Sequence, residues 1–185
     1  MNKSSELVRY VALLRGINVA GKNVLSMTDL ARIFQGAGCA DVGTYIQSGN
    51  VLFTADAKAE TTLPEKISSR IERDFGHRVP IVLRTLPELR AAIAANPFLS
   101  PDVDQRALHV YFLRDTPAKD AVAALDLGRS LPDRFTVLGR EVYLHLPNGM
   151  ARTKLTNAWL DSKLKTVSTA RNWNTLLKLV ELMQL

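Results

Sequence analysis

The order in which hydrophobic patterns follow one another leaves few folds open to this chain. Leu7–Leu14 is rich in Val, Leu and Tyr and reads as a strand ending at Arg15. A glycine-containing loop, 16–25, follows, and Ser26 then opens a helix. Leu30, Ile33, Phe34 and Ala37 recur on it at the 3.6-residue period, Asp29 sits in its first turn, and Gly36 and Gly38 mark its end. Residues 42–47 and 50–54 are expected as strands joined by a tight turn at Ser48-Gly49, where glycine supplies the positive φ that hairpin turns need. Residues 64–75 read as a helix with Ile67, Ile71 and Phe75 on one face, 79–84 as a fourth strand and 86–95 as a further helix.

The sequence β-α-β-β-α-β is the split βαβ arrangement of ferredoxin-like domains. Residues 96–105 hold two prolines and two aspartates and read as a linker. Beyond it the pattern returns, with a strand over 107–113, a helix over 118–127 and a hairpin of 134–138 with 141–146 around Gly139-Arg140. Two helices, near 154–164 and 171–183, are expected to close the chain, so the second half ends in helix where the first has a strand. The fold expected is therefore α/β (α+β), with two tandem ferredoxin-like β-α-β-β-α halves, antiparallel or mixed sheets and extra C-terminal helices. The halves are 1–97 and 98–185. Outside this order of elements, no residue-level repeat stands out.

Composition narrows the function classes. Apolar residues at 46% and charged residues at 23% are ordinary for a globular protein of 185 residues, which is large enough to bury a core. No run approaches the roughly 18 uncharged apolar residues of a membrane span, and Met1 to Glu6 leads into a strand rather than a signal-peptide core. Cys39 is the single cysteine, which excludes an internal disulfide and a cysteine zinc cage and fits a reducing, cytoplasmic location. The net charge is +6. The excess gathers late, where Arg152, Lys154, Lys163, Lys165, Arg171 and Lys178 face one acid, Asp161. Such a patch attracts phosphates, nucleic acid or acidic surfaces, and the alternative is a solvated basic face.

Four segments rich in cations and amides, and free of carboxylate, histidine and cysteine, carry the ligand-binding candidates. Residues 16–23 spell G-x-x-x-x-G-K followed by Asn23, one residue short of a phosphate-binding P-loop. Asn23 replaces the hydroxyl that would hold Mg²⁺, the helix signal starts late, and no strand ends in a second metal-binding acid. What remains is Arg15, Asn18 and Lys22 as anion contacts, with backbone N–H groups in support. The hairpin adds Gln47 and Asn50. Residues 147–154 form a turn that explains Asn148-Gly149 but not Arg152 or Lys154. The fourth segment, 168–175, opens the last expected helix with Thr169 as N-cap and Trp173 in the buried stripe. There Arg171 opposes the helix dipole unless an anion sits at that helix start, with Asn172 and Asn174 beside it.

Other chemistry finds no support. His77, His109 and His145 are scattered, the last two in apolar strands where a satisfied core histidine is the expectation. No spacing matches a metal site, a Ser-His-Asp triad or a catalytic carboxylate pair, and no cofactor motif is present. The aromatic signature of RNA-binding ferredoxin-like sheets is missing.

The runs Tyr10-Val11-Ala12-Leu13-Leu14-Arg15-Gly16-Ile17-Asn18-Val19, Thr44-Tyr45-Ile46-Gln47-Ser48-Gly49-Asn50-Val51 and Ala170-Arg171-Asn172-Trp173-Asn174-Thr175 resemble the bacterial family called domain of unknown function 1697. The resemblance covers nearly the whole chain. It implies a cytoplasmic protein of ferredoxin-like architecture and brings no established reaction, cofactor or catalytic residue.

Taken together, the residues point to a protein that binds a phosphate-bearing ligand or nucleic acid through Arg15, Asn18, Lys22, Gln47, Asn50, Lys154, Arg171, Asn172 and Asn174, in a site between the two halves. The alternatives are an enzyme acting on an anionic small molecule, and a structural or partner-binding protein whose motifs serve turns and caps. One geometric expectation is sharper than the rest. In a β-α-β-β unit the end of the first strand and the hairpin turn share one edge of the sheet, so the loop after Arg15 and the turn at Gln47 to Asn50 should meet.

Overall fold

The computed structural model describes residues 6–19 and 21–184. Two compact units emerge, one formed by residues up to Glu88 together with those from Glu181 on, the other by Leu89–Val180. In chain order the elements are β1 (Leu7–Leu14), α1 (Met27–Gly36), β2 (Ala40–Tyr45), β3 (Asn50–Asp56), α2 (Ala59–Phe75), β4 (Ile81–Thr85) and α3 (Leu86–Ala94). A short 3-10 turn, Gln105–Ala107, precedes β5 (Leu108–Leu113), α4 (Lys119–Ala123), β6 (Arg134–Leu138), β7 (Glu141–His145), α5 (Asn157–Leu164), β8 (Ser168–Asn172) and α6 (Trp173–Leu182).

Each unit holds a four-stranded sheet, ordered β2-β3-β1-β4 in the first and β6-β7-β5-β8 in the second, with all pairings antiparallel. In the first unit one face of the sheet packs under α1 and α2, through Tyr10, Ala12, Leu14, Val51 and Phe53 against Leu30, Phe34, Ile67 and Ile71. Val11, Leu13, Leu52 and Val82, on the other face, are inaccessible to solvent as well. That two-sided burial is why β1 reads as a nearly unbroken apolar run rather than an alternating one. In the second unit Tyr111, Leu113, Val142 and Leu144 pack with Leu155, Leu160 and Leu164. Ser26 caps α1 as its position promised, accepting the amide of Asp29.

Three local readings of the sequence are corrected. Helix α2 begins at Ala59, a turn and a half before Pro64, which is carried inside the helix; proline is favoured at a first helical position, and that preference misplaced the start. The β2–β3 connection is a four-residue loop over 46–49, not a two-residue turn, because Tyr45 pairs with Asn50. The third correction changes the topology. Residues 168–172 are a strand, β8, paired along β5, and the last helix starts only at Trp173. Thr169 is therefore a strand residue, and the cap of α6 is Asn172, whose Oδ1 accepts the Thr175 amide. The second half thus completes β-α-β-β-α-β, and its helix follows β8 as α3 follows β4.

With β8 in place a residue-level repeat becomes visible. Leu14 and Leu113 both donate their amides into the hairpin, to Gly49 O and Arg140 O, each at 2.8 Å. The next residues, Arg15 and Arg114, donate to Pro80 O and Val167 O, the residues just before β4 and β8. The run Arg84-Thr85-Leu86-Pro87-Glu88-Leu89 aligns with Arg171-Asn172-Trp173-Asn174-Thr175-Leu176, with buried arginine first and buried leucine last in each.

Because the cores match, the connections that differ stand out. Between β1 and α1 the first unit spends residues 15–26, and the second unit only 114–118 between β5 and α4. The reverse holds elsewhere. The α1–β2 link is 37–39 and the β3–α2 link 57–58, against 124–133 and 146–156 at the equivalent places in the second unit. Long connections that the other copy of the fold does without are where function concentrates.

Candidate functional site

In the first unit the loop after Arg15 meets the hairpin turn, as topology required. Asn18 makes the join. Its Oδ1 accepts the Leu25 amide at 2.9 Å, and its Nδ2 donates to Leu25 O at 2.8 Å and to Gln47 O at 3.1 Å. Asn50 pairs with Leu13 across β1 and is fully buried, with Nδ2 donating to Tyr45 O and to Ser48 Oγ. Both asparagines thus hold loops through their side-chain amides. Lys22 and Gln47 are exposed, and Arg15 is half-buried.

The loop bonds largely to itself. Lys22 N–H donates to Val19 O, Asn18 N–H donates to Asn23 O, and Asn23 Nδ2 donates to Gly16 O. Those bonds fold the segment into a miniature hairpin, whose residue Ala20 lies outside the described residues, and they spend amides that a P-loop would aim at a phosphate. Helix α1 begins four residues after Asn23, at Met27.

The fourth segment is placed differently from its sequence reading. Arg171 is buried in β8, not at a helix start, so the dipole argument does not apply to it. Its Nη1 donates to Thr169 Oγ1 at 3.0 Å and to Ala170 O at 2.7 Å. Burial pushes its guanidinium down to about 10, which leaves it protonated at neutral pH. Asn172 is the α6 cap, and Asn174 is exposed on the first turn. Trp173 is core.

Lys154 leads to the site that sequence reasoning only half found. The two long connections of the second unit, 124–133 and 146–156, fold against each other around a cavity of about 300 Å³ lined by Arg129, Ser130, Leu131, Asp133, Asn148, Arg152 and Lys154, among others. Ser130 is the hinge pin. Its Oγ accepts the Lys154 amide at 2.9 Å and donates to Asp133 Oδ2 at 2.7 Å. Arg129 Nε donates to Lys154 O at 3.1 Å, and the Arg129 guanidinium lies 4.8 Å from the centre of the Trp159 ring. Tyr111, from β5, anchors the far end of the connection by donating its hydroxyl to Leu155 O at 2.8 Å.

The cavity gathers cations from both connections. Several exposed arginines elsewhere stand beside carboxylates: Arg32 with Asp29, Arg70 with Asp74, Arg78 with Glu65 and Glu72, Arg106 with Asp104, Arg114 with Asp115; Arg134 lies over the Phe98 ring instead. Among the described residues, Arg129, Arg152 and Lys154 have no carboxylate within ion-pair distance, although Asp133 lines the same cavity. Arg152 belonged to the basic run seen in the sequence. Arg129 did not, because nothing local links it to a residue 25 positions later.

Other reactive groups are muted. Burial pushes the Cys39 thiol up to about 11 and His109 below its ordinary value. His109 and His145 each keep Nδ1 buried without a hydrogen-bond partner, while His109 also has a backbone hydrogen bond with Ala107. Among the described residues no group of three His, Cys, Asp or Glu could hold a metal ion, and no helix is long and apolar enough to cross a membrane.

Two tandem ferredoxin-like units with elaborated loops define the class of protein. The chain belongs to the family of proteins of unknown function DUF1697, whose model matches residues 7–143. Its fold is similar to that of the conserved bacterial protein SP0830 from Streptococcus pneumoniae, at 24% identity and a TM-score of 0.68, over 96% of this chain and 99% of that one. No curated protein matches.

Proposed function

We propose that the protein binds a phosphate-bearing ligand, and that the cavity between residues 124–133 and 146–156 of the second unit receives it. One observation carries the reading. Two connections that are only two or three residues long in the matching first unit are bonded to one another, and between them they bring three cations without carboxylate partners, Arg129, Arg152 and Lys154, to one cavity. Cations gathered at one cavity without ion-pair partners favour an anionic guest, and the planar fork of arginine suits phosphate oxygens. Asn148 adds an amide donor to the lining. The same charges would serve nucleic acid, and the test separates the two.

Isothermal titration with inorganic pyrophosphate at low ionic strength is the direct test. Saturable binding is expected, weakened at least tenfold in an Arg152→Ala/Lys154→Ala double variant whose thermal midpoint is unchanged. Absence of saturable heat in the native protein overturns the reading. Fluorescence anisotropy with labelled single- and double-stranded oligonucleotides forms the second arm. Binding to those alone, with a steep salt dependence, would assign the charge to nucleic acid instead.

A further inference from the structure

The lining of the cavity is not uniformly basic, and its other parts restrict the guest. Asp133 is 5% exposed and lines the cavity with its Oδ2 already held by Ser130 Oγ, and among the described residues its Oδ1 accepts no hydrogen bond. A carboxylate oxygen in an otherwise cationic cavity repels a bare anion and calls for a hydroxyl or amine donor on the same molecule. Leu131 also lines it and is 76% exposed, with Pro132 beside it, and Leu127, in the same loop, is 70% exposed. These are the two most exposed large hydrophobic side chains described. A loop held by Ser130 and Asp133 keeps them in water, where an apolar side chain gains nothing by itself.

We propose that the guest is a nucleoside phosphate. Its phosphate is held by Arg129, Arg152 and Lys154, its sugar hydroxyls donate to Asp133 Oδ1, and its base covers Leu131 and Pro132. This rests on the reading of the cavity as a phosphate site and adds the remaining two-thirds of the molecule. The volume of about 300 Å³ lies at the lower end for ligand pockets, which on the order of 300–1,000 Å³ suits one nucleotide rather than a run of them. Both polar signs and the apolar wall then have a use, whereas inorganic phosphate uses only the cations.

Trp159 reports occupancy. Arg129 stacks on its ring, and a phosphate that draws the guanidinium into the cavity changes the indole's surroundings. The native protein is titrated with pyrophosphate, ribose 5-phosphate and adenosine 5′-monophosphate, following tryptophan emission, with calorimetry in parallel. Expected dissociation constants fall in that order, with the nucleotide at least tenfold tighter than pyrophosphate. Asp133→Asn should weaken ribose 5-phosphate and the nucleotide several-fold and leave pyrophosphate unchanged or tighter. Should that variant disturb the loop, Leu131→Ser, an exposed change, should weaken only the nucleotide. Equal affinity for pyrophosphate and nucleotide, or variants that weaken all three alike, overturns the nucleoside assignment while leaving the phosphate site standing. Failure of all three ligands to bind removes both.

Discussion

Arg84 and Arg171 occupy the same place in their two sheets. Arg84 lies opposite Val11 on β4, and Arg171 lies opposite Val110 on β8. Each donates Nη1 to the carbonyl of the residue before it, at 2.9 Å to Leu83 O and at 2.7 Å to Ala170 O. Both side chains are buried, and each precedes a helix by two residues or fewer. A cation removed from water twice, at equivalent strand positions, is part of the architecture of the repeat.

Substituting either arginine should therefore destabilise the protein. Hydrogen bonds made by charged donors are worth about 1.5–3 kcal/mol, and the buried stem adds to that. Arg84→Ala and Arg171→Ala are each expected to cost at least about 2 kcal/mol in denaturant unfolding, and Arg171→Lys to recover only part of it. A neutral or stabilising Arg171→Ala would contradict the strand assignment, and would fit a helix-start arginine instead.

Asn18 is expected to matter to folding rather than to a ligand. Three hydrogen bonds and a positive φ of 54° converge on it. Asn18→Ala loses the bonds and strains the backbone, for about 2–3 kcal/mol. Asn18→Gly should keep the conformation and lose only the bonds. Thermal unfolding of the two variants, with exchange of the Leu25 amide, checks the difference: glycine less damaging than alanine, and the Leu25 amide exposed in both.

Gly49 closes on β1 too tightly for any side chain. A Cβ there would come within 2.8 Å of Leu14 Cβ, at a φ of 76° that other residues rarely adopt. Gly49→Ala should cost about 2 kcal/mol or more, and a thermal midpoint within a degree of the native value would refute that geometry.

Lys22 belongs to a self-bonded turn. Purified protein should show no Mg²⁺-dependent release of phosphate from ATP or GTP, and Lys22→Ala should change stability by less than about 0.5 kcal/mol. Turnover that the variant abolishes would restore the P-loop reading.

Acid should weaken the fold through His109. Burial holds its folded pKa below the ordinary value of 6.5. The unfolded chain therefore takes up a proton near pH 6.5 that the folded chain refuses. Stability is intact above that pH and declines as pH falls through it, levelling off once the folded imidazole is also protonated. His109→Leu should remove this part of the difference between denaturant midpoints at pH 7.5 and pH 5. An unchanged difference would show that other groups carry it.

Local signals made most of the fold legible. Strand runs, the Ser26 cap, the glycines and the helical stripe of α1 depend on neighbours a few residues away, and they appear where expected. The same locality explains β8. Its five residues, Ser168-Thr169-Ala170-Arg171-Asn172, carry no apolar alternation, and they form a strand because β5 offers an open edge. A partner strand some sixty residues earlier in the chain is invisible to a short sequence window.

The candidate site divides along the same line. From the sequence alone came the two-fold order of elements, the meeting of the first loop with the hairpin, and a basic segment from Arg152 onward, since these follow from period, topology and charge. Tertiary structure decided which polar groups remain available. It spent Asn18, Asn50 and Asn172 on backbone groups, buried Arg171, and brought Arg129 to Lys154 across 25 residues. Hydrogen-bond satisfaction is a three-dimensional account: whether a side chain can still reach a ligand depends on what the folded backbone has already asked of it.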